Sequence, residues 1–255
     1  MSGWTAVVLA GSRLGIDDFA KAHATDLKAL IPVCGEAMVR RPVKALLSSE
    51  RIALVRVLAQ QPERIAAVLP VDSRLTVEPS AETLAATLES VCADSATAWP
   101  VLVTTADHAL LDRGMIDDFC ERSAGADLAI AVVERRALLR RLPETQRTWI
   151  RFKGGAYSGA NLFMLRSPKV AAAVSLWRDI EQDRKKSLRL LWAMGPALFL
   201  GAALRLLTLD QALRRVGDKL GLDIRAVAMA DPLAAVDVDK PADHRLVEAI
   251  LQGRA

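Results

Sequence analysis

Four places along this 255-residue chain carry side chains suited to phosphate chemistry. An apolar run breaks into Gly11-Ser12-Arg13-Leu14-Gly15, and Lys28 follows before Leu30-Ile31-Pro32. Glycines let backbone N–H groups approach phosphate oxygens, and an arginine adds charge-assisted hydrogen bonds. Lys28 is a second cation tethered close by, and Gly35 turns the chain into the next helix. Downstream, Asp107 closes the apolar run Val101–Thr104, and Asp237 and Asp239 stand in "AAVDVDKPADH". One or two carboxylates together with phosphate oxygens are what Mg²⁺ takes.

Each feature also has a plainer reading. A strand followed by a glycine-containing turn is commonplace, and a lone Asp after a strand is most often a turn or cap residue. His108 is as well suited to a structural hydrogen bond as to catalysis. Asp237 and Asp239 are expected to point to opposite faces of a short extended segment, so that only one reaches the site. In that arrangement Asp239 caps the helix opened by Pro241, and Asp237 is the second metal carboxylate. The cations of "EQDRKK" suit either an acceptor phosphate or the C-terminal end of a helix dipole.

The elements that would position these groups alternate. Thr5–Leu9, Leu54–Leu58, Ala66–Leu69, Val101–Thr104, Leu128–Val133 and Tyr157–Leu165 are apolar, β-rich runs. Helical stripes lie between them: Met38 to Leu47, with Pro42 expected to kink it, and Leu84 to Cys92, with Ser80 as its expected N-cap. Leu111–Arg122, Pro168–Arg184 and the segment after Pro241 complete the helices. The alternation predicts one α/β domain over 1–255: a mostly parallel sheet with helices on both faces, in a Rossmann-like three-layer sandwich. A helical, apolar insertion is expected at about 168–220. In such sheets ligands bind beyond the carboxyl ends of the strands, where Gly11, Asp107 and Asp237 fall.

Composition narrows the partners. Lys and Arg outnumber Asp and Glu by 34 to 30, a mild excess that favours anionic small molecules. The basic residues lack the aromatic interleaving of a nucleic-acid surface, so no nucleic acid is expected. Cys34, Cys92 and Cys120 are odd in number and far apart, which gives neither a disulfide framework nor a CxxC metal site. Without a basic n-region or cleavage site before Thr5, no signal peptide is expected, and a reducing cytoplasm is the simplest setting. From Leu190 to Leu204 the chain is apolar without a break, shorter than the ~20 residues that span a bilayer and interrupted by Gly195-Pro196. Two readings stay open for 188–206: a buried helix pair or homodimer interface, and a helix lying at the inner face of the membrane as a peripheral contact.

In this order and at this separation, the clusters resemble the nucleotidyltransferase family of the GT-A-like fold. That family includes molybdenum-cofactor guanylyltransferases and cytidylyltransferases of isoprenoid and sugar pathways. Its pattern runs LAGG-x-S-x-R-x-G, K-x-L-x-P-x-x-G, a strand ending in D, and N/D-[IV]-D-T-P-E-D. The chain supplies Leu9-Ala10-Gly11-Ser12-Arg13-Leu14-Gly15, Lys28-Ala29-Leu30-Ile31-Pro32-Val33-Cys34-Gly35, Thr105-Ala106-Asp107 and Asp237-Val238-Asp239-Lys240-Pro241-Ala242-Asp243. It departs in a shorter first loop with one glycine fewer, in the insert Ile16–Asp26, and in Lys240 and Ala242.

The resemblance implies Mg²⁺-dependent transfer of a nucleoside monophosphate from an NTP, CTP or GTP foremost, to a phosphorylated small acceptor, with release of pyrophosphate. Leu9, Ala10, Gly11, Ser12 and Arg13 would hold the triphosphate, and Lys28 would neutralise the α-phosphate. Ser80 would touch the base or ribose. Asp107 and Asp237 would bind Mg²⁺. Gly159, Asn161, Lys185 and Lys186 would meet the acceptor, although an Asn bonding to backbone is nearly as good an account of Asn161. Two alternatives remain: a glycosyltransferase of the same fold, disfavoured because His108 and Ala109 follow Asp107 where a DxD pair is usual, and an inactive regulatory or scaffold protein.

Overall fold

A computed structural model describes residues 3–11, 18–182 and 206–254. In its first half the chain forms β1 (Trp4–Leu9), α1 (Asp18–Ala22), β2 (Pro32–Val33), β3 (Glu36–Ala37), α2 (Arg40–Ser48), β4 (Ile52–Ala59), α3 (Pro62–Ala66), β5 (Leu75–Pro79), α4 (Leu84–Ala93) and β6 (Val101–Thr105). There follow α5 (Arg113–Arg122), β7 (Leu128–Glu134), α6 (Arg135–Arg141), β8 (Ile150–Phe152), β9 (Gly155–Leu165), α7 (Ala171–Gln182), α8 (Leu209–Leu220), β10 (Ile224–Ala228) and α9 (Pro241–Leu251). Short 3-10 turns cover Lys28–Leu30, Pro168–Val170 and Pro232–Ala235.

The main sheet runs β10-β7-β9-β6-β1-β4-β5, with β8 paired to β9. Strands β6, β1, β4 and β5 are parallel, β9 is antiparallel to both of its neighbours β6 and β7, and β10 is parallel to β7. Because side chains alternate along each strand, the sheet feeds two cores. Ala6 and Val8 pack on one face with Val43, Leu46, Ile116, Phe119 and Val247. Val7 and Leu9 pack on the other with Leu88, Val91, Val103 and Val174. Burial on both faces is why β1 and β6 read as unbroken apolar runs.

Several sequence expectations need correction. Ala66–Leu69 is no strand: Pro62 opens α3, whose fixed φ and missing N–H suit a first helical turn, and Leu69 follows in a turn. The strand of that region is β5, an edge strand with polar Thr76 and Glu78 in it. Pro42 does not break α2, since it too lies in a first turn, where its N–H is not needed. The cap of α4 is Thr83, whose hydroxyl accepts from the Ala86 N–H at 3.1 Å, and not Ser80. Of the described helices none is long and apolar enough to cross a membrane. The apolar run 190–204 lies outside the described residues.

Candidate active site

Gly11 and Asp107 meet because β1 and β6 are parallel and in register, with Leu9 opposite Thr105. Each residue stands two positions beyond that pair, at the carboxyl edge of the sheet. The Ala106 N–H donates to the Leu9 carbonyl at 3.0 Å, and the Ala10 N–H to Leu58 at 2.9 Å, so the exit of β1 is tied to both neighbours. A Cβ on Gly11 would lie 3.7 Å from the Ser80 hydroxyl oxygen, which places the exits of β1 and β5 side by side. That Ser80 oxygen is buried and has no hydrogen-bond partner among the described residues. Leu9 and Ala10 are buried at the end of β1, while Ser12 and Arg13 lie outside the described residues.

Lys28 reaches the same edge from the turn Lys28–Leu30. The turn is braced by the β2–β3 hairpin, whose loop residues Cys34 and Gly35 both have positive φ, at 51° and 82°. Two positive φ values are what a tight two-residue hairpin loop demands, and Gly35 adopts its value without strain. The Lys28 ammonium donates to Asp107 Oδ2 at 2.6 Å and to Asp239 Oδ1 at 2.5 Å. Burial alone would push the Lys28 ammonium down, but the Asp107 and Asp239 charges outweigh it and hold the group above the usual lysine range. Asp107 is itself oriented: the Thr105 hydroxyl donates to its Oδ1 at 2.5 Å.

Asp237 and Asp239 lie near one another, and the expected opposite facing is overturned. Residues two apart on an extended segment share a side. The residue between them, Val238, points into the core with no exposure, and its N–H donates to the Asp107 carbonyl at 3.1 Å. Asp239 is not the cap of α9 either. The N-cap position is Lys240, and the Asp243 carboxylate accepts from the Asp239 N–H at 3.3 Å.

Asp237 is gripped by groups of its own. Arg147, from the segment between α6 and β8, donates from Nη1 to Asp237 Oδ1 and from Nη2 to the Asp237 carbonyl at 3.0 Å. The same guanidinium lies 3.7 Å from Asp243 Oδ1. Asn161 Nδ2 donates to Asp237 Oδ2 at 3.1 Å, a carboxylate contact and not the backbone one. Asn161 can do so because the β7–β9 register slips between Ile130 and Val132, and Asn161 takes up the irregularity at φ 46°. A bulge of this kind re-aims a side chain, and Asn is among the residues that tolerate the left-handed region. Burial pushes the Asp237 carboxyl above its ordinary value, Arg147 pulls it back, and the charges of Asp239 and Asp107 add to the rise. Gly159, two residues before Asn161 on β9, is exposed, and none of the described residues crowds the space where a Cβ would stand. Lys185 and Lys186 lie outside the described residues.

The structure thus brings Lys28, Asp107, Asp237 and Asn161 together, and adds Asp239, Arg147, Asp243 and Thr105. Arg147 has no sequence signature: its segment is neither periodic nor part of a motif. His108 is fully buried, its Nδ1 is 3.3 Å from the Thr104 hydroxyl, and burial pushes its pKa down to about 4, so it is a neutral core residue.

A family model for the MobA-like NTP transferase domain matches residues 6–222. The chain belongs to that family. Among curated proteins no match is found. A hypothetical transferase from Thermus thermophilus is 27% identical, with a TM-score of 0.81 over 95% of this chain and 100% of that one. The 4-diphosphocytidyl-2C-methyl-D-erythritol synthase from Anaerococcus prevotii shares the fold at 9% identity, with a TM-score of 0.61 over 98% and 96% of the two chains. A CMP:2-keto-3-deoxy-manno-octonic acid synthetase complexed with CTP does so at 13%, with a TM-score of 0.58 over 99% and 100%. The Lys28–Asp107 pair lies within the matched residues of this NTP transferase domain, whereas Asp237 and Asp239 follow them.

The donor set suits a hard divalent cation in kind. Asp107, Asp237 and Asp239 offer carboxylate oxygens, and they are close enough for the last two to feel one another's charge. Among the described residues no group of three or more His, Cys, Asp or Glu is arranged to hold a metal. A cation here would therefore draw on substrate oxygens as well as protein ones.

Proposed function

We propose that this NTP transferase is a Mg²⁺-dependent nucleotidyltransferase that moves a nucleoside monophosphate from an NTP to a phosphorylated small acceptor. The observation that carries the proposal is the Lys28 ammonium held against Asp107 at the carboxyl edge of β6, beside the glycine exit of β1. An acceptor phosphate oxygen attacks the α-phosphorus, a new P–O bond forms, and the bond to the β-phosphate oxygen breaks to release pyrophosphate. A phosphate monoester is already a nucleophile near neutral pH, so the chain needs no general base. Its work is alignment and neutralisation of charge.

In this reading Gly11, Ser12 and Arg13 hold the triphosphate, Leu9 and Ala10 fix the exit of β1, and Lys28 meets the α-phosphate. Ser80, whose buried hydroxyl stands beside Gly11, contacts the nucleoside. Asn161 and Gly159 face the acceptor side, with Lys185 and Lys186 as its phosphate cations. Asp107, with an aspartate of the Asp237–Asp239 pair, would hold Mg²⁺, which when bound supplies further neutralisation of the phosphate charge. Because Ala109 stands where a DxD pair starting at Asp107 would place its second carboxylate, nucleotidyl transfer is the better reading than sugar transfer from a sugar nucleotide.

The first test is thermal stabilisation by CTP, GTP, UTP and ATP, each with Mg²⁺. One of them is expected to raise the melting temperature, and pyrophosphate release is then measured across phosphorylated sugars and alcohols. If none of the four stabilises the protein, the nucleotidyltransferase reading is wrong.

A further inference from the structure

We propose that the arm formed by α6 and the β8–β9 hairpin docks on an anionic lipid bilayer. The positive excess of the chain is concentrated there. From Glu134 to Lys153 the sequence holds seven Lys and Arg against two Glu, which leaves 27 cations against 28 acids in the rest of the chain, a net charge of −1. Of the seven, Arg147 is spent on Asp237. Arg135, Arg136, Arg140, Arg151 and Lys153 are exposed. Arg136 lies 3.9 Å from Glu134, and the other four make no side-chain hydrogen bond or ion pair among the described residues. Cations spread over a surface and left unneutralised by their own protein suit a sheet of negative headgroups, whereas a single small anion needs them to converge.

Strand pairing gathers these groups. Glu134 stands opposite Tyr157, and Tyr157 opposite Ile150, so the start of α6 lies two strand spacings, about 10 Å, from the start of β8. Beyond the other end of β8, the Lys153 N–H donates to the Leu207 carbonyl at 2.8 Å. Apolar surface lies among the cations. Three large apolar side chains of the described residues are exposed, and two of them, Ile150 at 60% and Leu206 at 61%, stand at the two ends of this strand. Leu206 is also where the described chain resumes, directly after a sequence that is apolar from Leu190 to Leu204. Exposed aliphatic groups among cations offer a bilayer both apolar contact and attraction to its headgroups. Nucleic acid is the other extended polyanion, and the rings argue against it. Phe152 and Tyr157 pack on each other with centroids 6.4 Å apart, and Trp149 packs on the main core, while Ile150 and Leu206 give bases nothing to stack on. A second copy in a two-fold contact would set the same cations against themselves.

The test is co-sedimentation of the protein with sucrose-loaded vesicles, either of phosphatidylcholine alone or of phosphatidylcholine with one-third phosphatidylglycerol. Binding to the anionic vesicles is expected to be about ten-fold tighter or more than to the neutral ones, and to weaken as salt is raised. The variant R135Q/R136Q/R140Q should bind the anionic vesicles about 10²-fold more weakly, since each cation near such a surface is worth about five-fold. I150S should lose about three-fold or more through its missing apolar contact. All four positions are exposed, and melts without vesicles check that both variants fold as the wild type does. Equal binding to the two vesicle types overturns the proposal. So does full binding by either variant, which would place the contact elsewhere on the chain. Tighter binding of a single-stranded oligonucleotide than of anionic vesicles, lost in the triple variant, overturns it in favour of nucleic acid. The vesicle measurement needs no nucleotide, so its result and that of the NTP melts stand or fall separately.

Discussion

Replacing Arg147 with Met tests whether the Arg147–Asp237 pair anchors the segment that carries Asp237 and Asp239. The two side chains are 9% and 24% exposed. Removing one partner of a pair this buried costs about 3–5 kcal/mol, because the survivor is left charged and unmatched. Asp237 keeps its bond from Asn161 and some access to water, so the lower end, about 3 kcal/mol, is the expected loss. For a chain of this size each kcal/mol moves the melting temperature by about 2–4 °C, which gives a drop of roughly 6–12 °C. The pH dependence has a definite sign. The native Asp237 carboxyl already titrates above its ordinary value, and losing Arg147 raises it further. A raised carboxyl costs stability only where the unfolded chain has released the proton, so the deficit grows as pH rises through the native value and fades toward acid. Metal-free melts at pH 7.5 and pH 5 should therefore show a larger gap between R147M and wild type at the higher pH. The double variant R147M/D237N, with no buried charge left, should recover more than half of the loss. A loss below about 1 kcal/mol at pH 7.5, or strictly additive effects in the double variant, refutes the anchoring role.

Three further outcomes are expected. Lys28→Ala should lower pyrophosphate release by about 10²–10³, the scale for removing one preorganised charge-stabilising donor, and Lys28→Arg should not restore it; release within three-fold of wild type argues against contact with the α-phosphate. Gly217→Ala should destabilise by more than about 2 kcal/mol in denaturant melts, despite an intrinsic helix gain of ~1 kcal/mol, because its Cβ would lie 2.3 Å from the Leu222 carbonyl oxygen. Alkylation at pH 7.5, read by mass spectrometry, should modify exposed Cys34 in the native protein and spare Cys92 and Cys120, whose thiols burial pushes up to about 11 and about 12; fast modification of either buried thiol contradicts the packing of α4 or α5.

The strands that hold the site were legible because burial on both faces makes them apolar throughout. Thr5–Leu9 and Val101–Thr104 each fall within one residue of the observed bounds of β1 and β6. Reading strands from unbroken apolar runs failed at β5, an edge strand whose apolar residues alternate with Thr76 and Glu78, and at Ala66–Leu69, where a four-residue apolar run cannot separate strand from helix end. Ser80 and Thr83 both precede α4 with hydroxyls, and only the observed hydrogen bond distinguishes the cap from the residue facing Gly11. Lys28 and Asp107 stood out because each adjoins a recognisable apolar strand or turn. Arg147 did not, since nothing in "PETQRTWI" ties it to an aspartate 90 positions downstream.

Arg147 matters because it gives Asp237 a partner that Asp239, two residues on, does not share. Asp237 and Asp239 flank a buried valine and share a side, so the local backbone does nothing to tell them apart. Their partners do. A guanidinium with several fixed contacts, joined by Asn161 on a bulged strand, turns Asp237 into part of the scaffold. Asp239 meets the flexible Lys28 ammonium, which it shares with Asp107 at the carboxyl edge of the sheet. The rigid cation thus holds the backbone and side chain of Asp237, and the flexible one joins Asp107 to Asp239. Exchanging the two cation types should expose this division: Arg at position 28 would bring a planar fork to carboxylates now met by a point charge, and Lys at position 147 would support Asp237 through one point contact where the fork now makes several.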